Sequence, residues 1–235
     1  MDEHVYKEQE HFWRIEDGGV RMFLFEGKDR AMLVDTGFGT LPVKDIVSEL
    51  TKLPVFVVNT HTDMDHTGRN NEFDRIYMHP AEMDCYAARG GAFEKDQDGK
   101  EKIRPLWEGT VMDLGFWKFE VILTAGHTPG SIMLLDREKR LLISGDTIQA
   151  GDIYMFGPGR NLPAFRATLD RMNERRNQFD IIWPSHGPCP LSPEIIPKLA
   201  EGARALAEGK LIAQDPPREG MPCRLYRCQA GGFLV

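Results

Sequence analysis

The segment Asn59-Thr60-His61-Thr62-Asp63-Met64-Asp65-His66-Thr67-Gly68 follows a continuous apolar run at residues 55–58. Such a run is typical of a strand that is buried on both faces of a sheet. Two histidines and two aspartates fall within six residues of this segment, and binding side chains are usually held on loops at strand ends. Imidazole and carboxylate are the usual nitrogen and oxygen ligands of zinc, iron and manganese. The segment therefore predicts a metal site.

Three later fragments repeat this arrangement, in which a histidine or an aspartate follows an apolar strand. They are Gly126-His127-Thr128-Pro129-Gly130-Ser131, Ser144-Gly145-Asp146 and Pro184-Ser185-His186-Gly187-Pro188. A lone histidine is more often structural than a ligand, so each fragment is weak by itself. If the strand ends converge on one edge, seven candidate ligands converge with them. These are His61, Asp63, Asp65, His66, His127, Asp146 and His186.

Hydrophobic periodicity and turn residues predict a single mixed α and β domain over residues 1–235. Strands are predicted at 11–16, 20–26, 30–35, 55–58, 76–78, 109–113, 117–124, 131–136, 140–144 and 179–183. Helices are predicted at 41–51, 80–89, 161–176 and 192–208. The polar, glycine-containing residues from about 90 to 107 are predicted to form a lid or loop, and residues 225–235 an edge strand or tail.

The bulk composition restricts the classes of protein to consider. The 235 residues are 41% hydrophobic and 28% charged, which is typical of a globular chain. The net charge of −7 argues against a general nucleic-acid binder, which needs a basic surface. The sequence lacks the roughly 20-residue apolar run of a membrane span, and Met1-Asp2-Glu3-His4 does not resemble a signal peptide. We therefore expect a cytoplasmic protein with no membrane partner, whose four cysteines are reduced.

The ordered motifs resemble the metallo-β-lactamase superfamily. That family carries a THxHxDH loop, a GHTPGS turn, a GD step and a GHG-like turn in this order, preceded by a DTG segment. The corresponding residues here are 60–66, 126–131, 145–146 and 185–187, and the DTG segment is Asp35-Thr36-Gly37. The resemblance covers about residues 20–190. It implies an α/β fold of the four-layer α/β/β/α sandwich type.

The resemblance also implies two divalent metal ions, with zinc as the first choice. His61 and His127 would bind the first ion together with the residue at position 63. The second ion would be bound by Asp65, His66 and His186, and Asp146 would bridge the two ions. Asp35 is implied not as a ligand but as a hydrogen-bonding residue that fixes the ligand loop.

The chain departs from the family at position 63, where Asp63 replaces the usual second histidine and gives an HxDxDH motif. Two divalent ions, three carboxylates and a bridging hydroxide sum to a charge of about zero, whereas a histidine there would leave about +1. The less positive site favours iron or manganese as alternatives to zinc. Two further readings stay open at this point: a weakened first site that leaves one metal, and a degenerate site.

The leading functional prediction is a metallo-hydrolase. A metal-bound hydroxide would attack an ester, thioester, lactone or phosphodiester of a small molecule, with Asp65 or Asp63 orienting the nucleophile and moving its proton. The first alternative is an iron-dependent oxidoreductase on the same fold, either diiron or similar to persulfide dioxygenases. The second alternative is a non-catalytic protein that binds a metal or ligand.

Three aromatic residues are candidates for substrate binding: Tyr154, Phe156 and Trp107. They would wall a pocket beyond the metals for a small molecule with an apolar part, although ordinary core packing explains each of them equally well. The segment 225–235 could also pair across a homodimer. His79 precedes Pro80 after a predicted strand, and we interpret it as structural.

Overall fold

The computed structural model describes residues 3–235. Met1 and Asp2 lie outside the described residues. They belong to the N-terminal segment that, by our prediction, does not resemble a signal peptide. The chain divides into two compact units, of which unit 1 ends at Ile122 and unit 2 runs Leu123–Val235. Within residues 3–235, every helix is too short or too polar to cross a bilayer.

Unit 1 contains a seven-stranded sheet whose strands follow the order of the chain. The strands are β1 (Val5–Gln9), β2 (Phe12–Asp17), β3 (Val20–Glu26), β4 (Ala31–Val34), β5 (Val55–Val58), β6 (Ile76–Met78) and β7 (Ile103–Pro105). The helices of unit 1 are α1 (Val43–Leu50), α2 (Met64–Thr67) and α3 (Met83–Ala88). Strands β1 to β4 pair antiparallel, and β4 to β7 pair parallel.

The parallel half of this sheet aligns the ends of its strands. Val34 of β4 is paired with Val58 of β5, and Val58 is paired with Tyr77 of β6. The residues that follow these strands therefore emerge at one carboxyl edge, where loops usually carry binding groups. Asp35 and the segment from Asn59 onward both begin at this edge.

Burial of apolar side chains against one face of the sheet explains the position of α1. Its residues Val43, Ile46 and Val47 are buried in one cluster with Leu33 and Val57 of the neighbouring parallel strands. The spacing of these helical residues puts them on a single face. This packing holds α1 against strands β4 and β5, and the ligand loop begins where β5 ends.

Two further strands begin in unit 1, β8 (Val111–Asp113) and β9 (Lys118–Leu123), and they pair antiparallel. Phe119 of β9 packs edge-on against Phe25 of β3, with ring centroids 4.7 Å apart. Both rings are fully buried. This aromatic contact lies in a second apolar part of unit 1, separate from the cluster around α1.

Unit 2 contains β10 (Ile132–Asp136), β11 (Leu141–Gly145) and β13 (Ile181–Pro184). Strand β10 pairs antiparallel with β11, which pairs parallel with β13. Gly145 is paired with Pro184, so the residues after these two strands emerge at the same edge. This is the local reason why Asp146 and His186 are neighbours.

The second sheet of unit 2 has four strands. Its strands are β12 (Asp152–Tyr154), β14 (Ala213–Gln214), β15 (Leu225–Cys228) and β16 (Gly231–Leu234), and the helices of unit 2 are α4 (Leu162–Glu174) and α5 (Ile195–Ala207). The prediction of an edge strand or tail at 225–235 is wrong. The chain turns after Cys228, and β16 runs between β15 and β12 as an inner strand.

Other differences from the predicted elements are local. The helix predicted at 80–89 is a 3-10 turn, Pro80–Glu82, followed by α3. The predicted loop at 90–107 contains the short strand β7, which extends the parallel sheet. Strands β1 and β12 were not predicted, because they are short and their periodicity is masked by polar residues. Cys85, Cys189, Cys223 and Cys228 are free cysteines in the structure.

His79 has a structural role at the start of the 3-10 turn. Its Nδ1 accepts a hydrogen bond from the backbone N–H of Ala81 at 3.2 Å, so the neutral ring serves as the cap. Its ring lies edge-on to that of Trp107, with centroids 5.5 Å apart. Burial lowers the pKa of His79 below its ordinary value of 6.5.

We expect the neutral form of His79 to stabilise the fold. Since its folded pKa is lowered, this contribution is complete above the unfolded pKa of about 6.5 and is lost as the pH falls below it. Thermal unfolding at about pH 7.5 and about pH 5.0 should therefore show a larger acid-induced fall in Tm for the wild type than for His79→Asn, which keeps an acceptor for the cap. An identical fall in both proteins would contradict this assignment.

The turn that carries His127 depends on Gly126. Its φ is +142°, and an added Cβ would lie 2.3 Å from the Cα of Phe165 in α4. We expect Gly126→Ala to cost at least about 2 kcal/mol and to lower Tm by roughly 4–8 °C in a thermal melt. Gly209→Ala is the matched control, because Gly209 has a φ of +67° and no atom within 4 Å of the added Cβ. Equal losses in the two variants would contradict the proposed clash.

Candidate metal centre

The loop between β5 and α2 is held by the carboxylate of Asp35. Asp35 Oδ1 accepts from the backbone N–H of Thr60 at 2.8 Å, and Oδ2 accepts from the Thr60 hydroxyl at 2.7 Å. Oδ2 also lies 2.7 Å from Nδ1 of His66. Asp35 and His66 are fully buried, so their contact is shielded from competing water. These contacts tie Asp35 to the loop, and its role beside a metal stays a prediction.

These hydrogen bonds fix the tautomers of two histidines. The single hydroxyl hydrogen of Thr60 is donated to Asp35, so Nδ1 of His61, 3.1 Å from that oxygen, is the donor. Nδ1 of His66 donates to the Asp35 carboxylate in the same way. Each ring then carries its lone pair on Nε2, the form in which histidine binds a metal.

Two carboxylates of the loop face these Nε2 atoms. Oδ2 of Asp63 lies 3.6 Å from Nε2 of His61, and Oδ2 of Asp65 lies 3.6 Å from Nε2 of His66. The imidazole rings are adjacent, with centroids 4.0 Å apart. The structure thus brings together the four candidate ligands that unit 1 contributes.

Buried polar side chains keep the rest of the loop in place. Glu82, which is fully buried, accepts from the backbone N–H of Thr62 at 2.9 Å and from its hydroxyl at 2.7 Å. Asn59 Nδ2 donates to the carbonyl of His66 at 3.0 Å. Asn70 Nδ2 in turn donates to Oδ1 of Asn59 at 2.9 Å. The ligand loop is therefore anchored at both of its ends.

Unit 2 carries the remaining three candidate ligands. Nδ1 of His127 donates to the backbone carbonyl of Tyr154 at 2.9 Å, which leaves the lone pair on Nε2. That Nε2 lies 3.6 Å from Oδ2 of Asp146, and Nε2 of His186 lies 3.4 Å from the same oxygen. Asp146 Oδ2 is therefore flanked by two imidazoles, as a bridging carboxylate would be.

Within each unit, the distances between imidazole Nε2 and carboxylate Oδ2 atoms match those between two ligands of a common ion. A tetrahedral ion with bonds of about 2.0–2.2 Å to nitrogen and oxygen separates its ligand atoms by about 3.4 Å. The four imidazole-to-carboxylate distances lie between 3.4 and 3.6 Å. These values exceed a hydrogen bond between the same atoms. The donor set and its tautomers therefore fit divalent metal ions.

Arg89 is a residue of this region that the sequence did not point to. Its Nη2 lies 2.8 Å from Oδ1 of Asp63, and its Nη1 donates to the carbonyl of Thr62 at 3.0 Å. In the sequence it is the last residue of a predicted helix, and no motif marks it. Glu82 is also unmarked, although a carboxylate on the buried face of a helix would have been a usable signal.

The candidate substrate residues are placed as follows. Trp107 is 56% exposed and rests on His79. The ring centroids of Tyr154 and Phe156 lie 5.5 Å apart, and the rings are tilted with respect to each other. The carbonyl of Tyr154 accepts the hydrogen bond from Nδ1 of His127. None of these contacts tests substrate binding, which stays a prediction for all three residues.

The family model described as the metallo-beta-lactamase superfamily matches residues 15–206, which is more than half of the chain. The chain is also 27% identical over 216 residues to the acyl-coenzyme A thioesterase MBLAC2 of Homo sapiens, a match that covers 74% of this chain and 77% of that protein. The prediction of an enzyme of the hydrolase class is confirmed at this level.

Two solved structures support the fold. A metallo-beta-lactamase from Pontibacter korlensis superposes with a TM-score of 0.68 at 18% identity, covering 85% of this chain and 98% of the other. TTHA1623 in a di-iron-bound form superposes with a TM-score of 0.57 at 26% identity, covering 74% and 90%. These matches confirm the predicted α/β sandwich fold. The matched family model, together with the ligand loop, shows that the chain belongs to the metallo-β-lactamase superfamily.

Proposed function

We propose that this protein is a metal-dependent hydrolase that cleaves a thioester of a small molecule. The observation that carries the proposal is the state of the ligand histidines. His61, His66 and His127 each have Nδ1 in a hydrogen bond and Nε2 facing a carboxylate oxygen. This is the preorganised form that a metal site requires.

The assignment of the proposed ligands follows the pattern of the superfamily to which the chain belongs. His61, Asp63 and His127 would hold the first ion, and Asp65, His66 and His186 the second, with Asp146 between them. The family model spans parts of both units, which supports a single functional domain. We take zinc as the first choice, with iron or manganese as the alternatives that an oxygen donor at Asp63 favours.

When bound, divalent ions supply Lewis acidity and lower the pKa of water. Asp65 orients the attacking water and moves its proton to the leaving sulfur, because Oδ1 of Asp63 already faces the guanidinium of Arg89. Water adds at the acyl carbon, the carbon–sulfur bond breaks, and the products are a carboxylic acid and a thiol. Asp35 keeps His66 in the required orientation throughout.

The choice of a thioester is supported by two observations. The similar human protein is named as an acyl-coenzyme A thioesterase. In unit 1, a cavity of about 400 Å³ lies beside the ligand loop, and its lining includes Phe38, Met64, Tyr86 and Arg89. Phe38 is 48% and Met64 67% exposed. The lining also includes the charged residues Lys102 and Glu94. A cavity with both apolar and polar walls suits a small molecule that carries an apolar part and a polar part.

The main alternative is the iron-dependent oxidoreductase. The observation that favours it is Asp63, because two histidines with one carboxylate also form the set used by non-haem iron. The similar TTHA1623 was solved in a di-iron-bound form, which supports iron binding without indicating redox chemistry. Hydrolysis is the better-supported activity, since the thioesterase relative extends over three quarters of both chains.

We expect Asp35→Asn to weaken metal binding by about ten- to hundredfold, because it removes the acceptor that fixes His66 and Thr60. Zinc affinity, measured by competition with a chromophoric chelator, checks this. Asp45→Asn is the matched control, because Asp45 is an exposed aspartate on α1. Unchanged affinity in folded Asp35→Asn would contradict the role of Asp35.

We expect the zinc-loaded protein to release thiol from an acyl-coenzyme A thioester faster than it cleaves a matched oxygen ester, a lactone or a phosphodiester. Asp65→Asn should lower kcat by about 10²–10⁴-fold, because the proton acceptor is lost. Asp84→Asn, an exposed aspartate on α3, should leave kcat unchanged.

Two outcomes would contradict thioester hydrolysis. Oxygen consumption coupled to turnover by iron-loaded protein would establish the oxidoreductase instead. A protein that binds stoichiometric metal and turns over none of the four substrate classes would be a binding protein.

A further inference from the structure

The guanidinium of Arg89 reaches the ligand loop from the end of α3. Its backbone N–H caps this helix by donating to the carbonyls of Cys85 and Tyr86. Its Nη2 lies 2.8 Å from Oδ1 of Asp63 and its Nη1 3.0 Å from the carbonyl of Thr62. The side chains of Arg89 and Asp63 are 27% and 18% exposed, so the ion pair is largely sheltered from solvent.

The two oxygens of Asp63 have different partners. Oδ1 faces Arg89, while Oδ2 lies 3.6 Å from Nε2 of His61. The second distance is close to the roughly 3.4 Å expected between two ligands of one tetrahedral ion. Arg89 therefore holds the carboxylate in a rotation that presents a single oxygen on the side of His61.

The charge of Arg89 also offsets the charge of Asp63. Replacing the family's neutral histidine by Asp63 adds one negative charge beside the first metal position. Arg89 adds one positive charge at 2.8 Å from that carboxylate. The pair as a whole is neutral, as a histidine would be.

We propose that Arg89 is a positioning residue, and that the Asp63–Arg89 ion pair takes the place of the second histidine of the metal-binding motif. Arg89 orients Oδ2 of Asp63 toward the first metal and neutralises the carboxylate. This inference rests on the proposed metal centre. It is opposed to the alternative in which Asp63 simply weakens the first site.

The competing explanation is that Arg89 only fixes the backbone of the ligand loop, since it also donates to the carbonyl of Thr62. We call this role a structural clip. A clip and a charge partner differ in one measurable respect. Loss of a clip weakens the site whatever residue occupies position 63. Loss of a charge partner weakens the site beside Asp63 and strengthens it beside a histidine, because the unpaired cation would then repel the metal.

The experiment is a double-mutant cycle on the full chain, with wild type, Arg89→Met, Asp63→His and the double variant. Zinc affinity is measured by chelator competition, and the cobalt(II) spectrum reports ligand geometry. In the wild-type background, Arg89→Met should weaken binding at the first site by about tenfold or more. In the Asp63→His background, the same change should strengthen zinc binding severalfold. The effect of Arg89→Met on zinc affinity therefore has opposite signs in the two backgrounds.

Two further variants complete the test. Arg89→Lys keeps the charge and should recover part of the affinity that Arg89→Met loses. Arg14→Met is the matched control, because Arg14 forms ion pairs with Glu8 and Glu16 in the same unit. Thermal melts show which variants are folded. If Arg89→Met does not fold, Arg89→Lys is compared with the wild type in its place.

The result that overturns the inference is weaker binding on loss of Arg89 in both backgrounds, which identifies a clip. Failure of the proposed metal centre looks different, because the wild type would then bind neither zinc nor cobalt(II). Failure of thioester hydrolysis alone appears in the turnover assays and leaves the binding cycle interpretable. Stoichiometric binding by the wild type with same-sign effects leaves the metal centre in place and rejects only the role of Arg89.

Discussion

The buried carboxylate of Asp35 is the interaction on which the ligand loop depends. An ionised carboxylate is costly to bury unless its oxygens accept hydrogen bonds, and all three donors described for it come from Thr60 and His66. If the loop moved, the charge would lose its partners. Asp35 itself has a φ of +63°, an uncommon conformation for a residue with a side chain. The surrounding hydrogen bonds over-determine that conformation.

The same geometric device serves both units. In unit 1, Asp35 and the ligand loop follow the parallel strands β4 and β5. In unit 2, Asp146 and His186 follow the parallel strands β11 and β13. Parallel pairing in register puts the ends of distant chain segments side by side. Hydrogen bonds from Nδ1 then orient the imidazoles of His61, His66 and His127. Each half of the proposed centre is thus rigid by virtue of the sheet that carries it.

The ion pair of Asp63 with Arg89 changes the argument about metal choice. The reduced charge of an HxDxDH motif was one reason to favour iron or manganese. With Arg89 beside Asp63, the charge no longer differs from that of a site with histidine at this position. What remains distinctive is the oxygen donor itself, which suits harder ions than an imidazole does. On this proposal, the preference among zinc, iron and manganese depends on ligand type and not on total charge.

Much of the local structure could be predicted from the sequence. The strands at 20–26, 55–58 and 76–78 agree residue for residue with β3, β5 and β6, because apolar runs between turn residues are local signals. The order of the motifs identified the family and the candidate ligands, since ligand chemistry requires particular residue types at strand ends. The pairing of β16 with β12 was not predictable, because pairing between distant strands leaves no periodic trace in either.

The tertiary structure alone decided how the candidate ligands within each unit are oriented. The tautomer of His61 depends on where the Thr60 hydrogen is donated, and the contact with Arg89 distinguishes one oxygen of Asp63 from the other. Asp63 and Arg89 are distant in sequence and meet because α3 packs beside the ligand loop. The sequence by itself determined which side chains are available to bind a metal. The packing of helix against loop decided which atom of Asp63 is presented, because a carboxylate has two equivalent oxygens until a neighbour makes them different.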